Sequence, residues 1–136
     1  FAEFELAMGK MAESGQALTA DALCQKYHAL NKLYFGPDMV SDDQIALEWA
    51  RIPHFFYNYY VFQYATGFSA AVAIANRILK EGAPAVADYK KFLSGGCSTD
   101  PISLLKIAGV DMSSPEPVNS ALALFGELVD EMEQLV

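Results

Sequence analysis

The sequence predicts an all-α fold, a helical bundle of about six to seven helices around one long central helix. Three observations carry this expectation. Apolar residues recur at three- and four-residue steps, no segment alternates with a period of two, and Gly or Pro separates the periodic runs. With 136 residues, 53% of them hydrophobic, the chain reads as a single helical domain, residues 1–136.

The first helix runs from Phe1 to about Ser14. Phe1, Phe4, Met8 and Met11 share its apolar face, and Gly15 stops it. Thr19 caps a second helix from Ala20 to about Phe35, with Leu23, Tyr27, Leu30 and Tyr34 as its stripe. Phe35-Gly36-Pro37-Asp38 reads as the turn that ends it. Ser41-Asp42-Asp43 starts a short helix through Leu47 and Trp49, where Trp49 and Arg51 read as packing and pairing residues.

Pro53 suits the first position of the long fourth helix, which is expected to reach Leu79-Lys80 and close at Gly82. A fifth helix covers about Pro84 to Leu93. The loop Ser94-Gly95-Gly96-Cys97-Ser98-Thr99 follows, and Asp100-Pro101 opens a sixth helix that ends before Gly109. Ser114-Pro115-Glu116 opens the last helix, expected to run to the C-terminus. Its inner face is read as Val118, Leu122, Phe125, Leu128, Val129 and Met132.

Composition removes several classes of function. A net charge of -8, with nine Lys and Arg scattered among more numerous acids, leaves no basic stripe for nucleic acid or an anionic membrane surface. Cys24 and Cys97 form no Cys-x-x-Cys pattern and read as reduced thiols, Cys24 as a packing residue. The opening Phe1-Ala2-Glu3-Phe4-Glu5-Leu6 lacks the pattern of a signal peptide, and the sequence is expected to be the end of a longer, cytoplasmic chain.

From Ile52 to Ala75 no residue carries a full charge at neutral pH, a run long enough to span a bilayer. Asn58, Gln63, Thr66, Ser69 and tyrosines spread through its first half argue instead for the buried axis of a soluble bundle. On a helix turning about 100° per residue, His54, Tyr57, Tyr60 and Tyr64 fall within an arc of about 120°. Phe55, Tyr59 and Phe62 lie on the other side. Phenols stay protonated at neutral pH, so this face is a row of neutral donors suited to a developing oxyanion. Residue types alone favour packing over this role, because aromatic stripes are mostly core.

Glu48-Trp49-Ala50-Arg51-Ile52-Pro53-His54-Phe55-Phe56-Tyr57-Asn58-Tyr59-Tyr60-Val61-Phe62-Gln63-Tyr64-Ala65-Thr66-Gly67-Phe68 resembles the C-terminal region of the oligoendopeptidase F branch of the thimet-oligopeptidase-like zinc metallopeptidases, peptidase family M3. Phe1-Ala2-Glu3-Phe4-Glu5, Leu30-Asn31-Lys32-Leu33-Tyr34-Phe35-Gly36 and Leu104-Leu105-Lys106-Ile107-Ala108-Gly109-Val110-Asp111-Met112 resemble it too. The resemblance covers essentially the whole chain. It implies the C-terminal portion of a zincin-like helical peptidase fold and a parent that hydrolyses short oligopeptides.

It also implies a zinc held by a His-Glu-x-x-His helix and a later glutamate, all upstream of this segment. Only His28 and His54 are present here, with no pair at helical spacing, so no metal is expected on this chain and no activity from it alone. By motif position the resemblance assigns His54, Tyr60 and Tyr57 to catalysis, and Tyr64 to substrate binding. The Gly95-Gly96 loop reads first as a helix-ending turn and second as a candidate for approaching the peptide backbone. The expected partners are the oligopeptide and the remainder of the peptidase chain, with homo-oligomers as a fragment. The competing reading is a non-enzymatic helical module that binds peptides or homodimerises.

Overall fold

The computed structural model describes residues 1–135. Among them the chain forms six α-helices and two 3-10 helices, with no strand, as an all-α sequence should. The chain divides into two compact units, Phe1–Gln63 and Tyr64–Val136, each with its own apolar core.

In the first unit, helix α1 (Ala2–Glu13) and helix α2 (Ala20–Phe35) follow the expected periodicity. Thr19 caps α2 as expected, its Oγ1 accepting the Ala22 N–H at 3.2 Å. Phe4 and Met8 from α1 meet Leu23, Tyr27 and Leu30 from α2, together with Phe55 and Val61, and Trp49 and Ile52 pack around them. Phe4 meets both Tyr27 and Phe55 edge-on, at ring separations of 5.1 and 5.0 Å.

The segment read as a short helix is a 3-10 helix, Gln44–Arg51, started by Asp42, whose Oδ1 accepts the Ile45 N–H at 2.8 Å. Its side chains are pinned to their neighbours. Trp49 Nε1–H donates to Cys24 Sγ at 3.4 Å, the Tyr27 hydroxyl donates to Glu48 at 2.6 Å, and Arg51 pairs with Glu48.

The long helix expected from Pro53 is interrupted. Pro53 opens only a short 3-10 helix, Pro53–Phe56, and helix α3 (Phe62–Glu81) starts afresh after it. Between them Asn58 and Tyr59 take left-handed backbone angles, with φ of 54° and 62°. A continuous helix would need the N–H groups of Tyr60 and Val61 for its own carbonyls. The Glu5 carboxylate takes both instead, at 3.0 and 2.9 Å.

The second unit is built on α3, with helices α4 (Ala83–Ser94), α5 (Pro101–Ile107) and α6 (Glu116–Glu133). Ala70 and Ile74 pack with Ala108 and Val110, surrounded by Tyr89, Phe92, Leu105 and Met112. Asp100 caps α5 as its sequence predicts, accepting the Ser103 N–H at 2.9 Å. Arg77 joins three elements, donating to Glu81 at 3.1 Å, Asp88 at 2.9 Å and the Ala108 carbonyl at 2.8 Å.

Helix α6 departs from expectation. The residues read as its inner face, Val118, Leu122, Phe125, Leu128, Val129 and Met132, are all exposed, and the buried residue of the helix is Pro117. An apolar stripe reports that a face is suited to cover, not that the same chain supplies it. The helix stops at Glu133, short of the expected C-terminus, and Val136 itself lies outside the described residues.

Candidate active site

Three of the candidate residues come together in the first unit. The His54 ring stacks on Tyr60 at 5.5 Å and meets Tyr57 edge-on at 5.7 Å, while Tyr57 and Tyr60 lie perpendicular at 5.9 Å. The helix expected to align them is absent, yet the grouping survives. Only His54 lies in the 3-10 helix; the left-handed turn at Asn58 and Tyr59 brings the Tyr60 ring back against His54 and Tyr57.

The cluster is not sealed in hydrocarbon. Tyr57 is exposed, and His54 and Tyr60 are half-buried. Phe55, read as lying on the opposite side, is buried in the core. Tyr59 also points elsewhere, its hydroxyl donating to Glu13 at 3.3 Å. Its ring covers Gly9 so closely that a Cβ there would overlap the phenol. Partial burial first, and the Glu13 carboxylate second, raise the Tyr59 pKa above its ordinary value.

The structure places the remaining candidates in the second unit. Tyr64 is exposed in the first turn of α3. Gly95 ends α4, its N–H donating to the Phe92 carbonyl at 3.0 Å. A Cβ on Gly95 would come within 2.8 Å of Leu104, so its smallness serves packing there. Gly96 is exposed and left-handed, with φ of 53°.

Glu5 was not singled out from the sequence, although a signal was present. It shares the i, i+3, i+4, i+7 face of Phe1, Phe4 and Met8, where an acid is out of place unless something receives it. Only 4% of it is exposed, and two backbone donors satisfy its carboxylate.

The donor set does not fit the zinc implied by the resemblance. Among the described residues no group of three or more His, Cys, Asp or Glu side chains could hold a metal ion. His28 Nε2 lies 3.2 Å from the Ser41 carbonyl, and His54 belongs to the ring cluster. No helix among the described residues is long and apolar enough to cross a membrane.

The family described as peptidase family M3 matches over residues 1–124. The chain belongs to peptidase family M3. It is 57% identical over 136 residues to oligopeptidase PepF of Bacillus subtilis, covering 100% of this chain and 20% of that protein. With group B oligopeptidase PepB of Streptococcus agalactiae it shares 44% over the same length, or 23% of that protein. The crystal structure of oligoendopeptidase-F from Enterococcus faecium superposes with a TM-score of 0.86 at 44% identity, covering 99% of this chain and 26% of that one. This M3 chain thus spans about a fifth to a quarter of the length of these relatives.

Proposed function

We propose that the chain is the C-terminal part of the catalytic domain of an oligopeptide-cleaving M3 peptidase, and that it supplies the donors for the substrate carbonyl. The observation that carries this reading is the convergence of His54, Tyr57 and Tyr60 on an unsealed surface. Neutral phenols and an imidazole N–H, fixed before substrate arrives, stabilise negative charge that grows on the carbonyl oxygen without reorganising. In the second unit, the exposed Tyr64 is assigned to binding the peptide backbone. The zinc of the family is assigned to residues outside this chain, and the chain alone is inactive in this reading.

The test is made in the full-length peptidase. His54→Ala and Tyr60→Phe should each lower kcat about 100-fold or more, with KM much less affected. Unchanged kcat in both variants would show the rings to be packing alone. Cleavage of a fluorogenic peptide by the isolated chain would contradict its assignment as an incomplete site.

A further inference from the structure

Helix α1 holds the turn before α3 along one of its faces. Glu5, Gly9 and Glu13 are spaced by four residues and so lie one above another. Glu5 receives the N–H groups of Tyr60 and Val61, Gly9 makes room for the Tyr59 ring, and Glu13 accepts its hydroxyl. The turn they hold contains two consecutive left-handed residues that are not glycine. Such a backbone persists only where surrounding contacts fix it.

From this we infer that Glu5 is a positioning residue: acting through the backbone of Tyr60 and Val61, its carboxylate sets the Tyr60 phenol against His54 and Tyr57. The inference rests on the reading of these rings as the site. Glu5 is suited to the task because its two oxygens bind two successive N–H groups, which fixes the orientation of the peptide plane between them as well as its distance. The rotation of that plane governs where the Tyr60 side chain points.

Glu5→Gln in the full-length peptidase tests this. Glutamine keeps the size and one acceptor oxygen but turns an NH2 toward the second backbone donor. Hydrogen exchange should quicken over Tyr60 and Val61, and kcat should fall about tenfold with KM within about twofold. In a Tyr60→Phe background the same change should alter kcat by less than about twofold, because the hydroxyl being positioned is gone.

Losses that multiply in the double variant would overturn the inference, as would full kcat in Glu5→Gln beside a damaged Tyr60→Phe. Full kcat in both His54→Ala and Tyr60→Phe would instead remove the site reading, and the inference with it. If Glu5→Gln does not fold, Glu5→Asp keeps both acceptor oxygens one methylene further back and is judged by the same coupling.

Discussion

The Tyr27 hydroxyl donates to the Glu48 carboxylate at 2.6 Å, tying α2 to the 3-10 helix that leads into the ring cluster. Tyr27→Phe should lower stability by about 1–2 kcal/mol, read as a shift in the urea midpoint. Burial first, and Glu48 second, push the Tyr27 phenol above its ordinary 10.0. A raised folded-state pKa stabilises the fold below pH 10.0 and loses that contribution as pH rises toward the folded value. Wild type should therefore lose more stability than Tyr27→Phe above that pH.

The left-handed turn gives a second prediction. Asn tolerates this conformation better than most residues, whereas a β-branched side chain does not. Asn58→Val should destabilise by about 1–2 kcal/mol, and Asn58→Gly should be neutral or better. Comparing urea midpoints of the two variants checks the order.

Acid should weaken the second unit. The hydrogen bond from Arg77 holds the Asp88 carboxyl below its ordinary 3.8, and hydrogen bonds from Ser103 do the same for Asp100. Lowered folded-state values stabilise above pH 3.8, and the contribution is lost as pH falls through the folded values. Asp88→Asn and Asp100→Asn should each flatten the acid limb of the stability curve.

The exposed stripe of α6 predicts association. Leu122 and Phe125 are 63% and 66% exposed, one turn apart on the same face. The isolated chain should give a light-scattering mass above that of a monomer, and Leu122→Lys with Phe125→Lys should restore the monomer mass. A monomer before substitution would count against this.

What the sequence revealed depended on the range of the forces involved. The caps at Thr19 and Asp100 were legible because cap and capped N–H lie within three residues. The break before α3 was not, because the competitor for its N–H groups, Glu5, stands 55 and 56 residues away. The grouping of the three rings was anticipated from their spacing, although no helix runs through them and a left-handed turn brings them together. The α6 stripe was legible as apolar, but periodicity carries no information about which chain covers it.

The reach of Glu5 has a consequence for the order of folding. The backbone hydrogen bonds of α1 and α2 join near neighbours. The ring cluster must wait until a segment 55 residues downstream has been synthesised and the intervening loop closed, at an entropic cost that local helices never meet. In refolding followed by pulse-labelled hydrogen exchange, the Tyr60 and Val61 amides should therefore gain protection after those of α2.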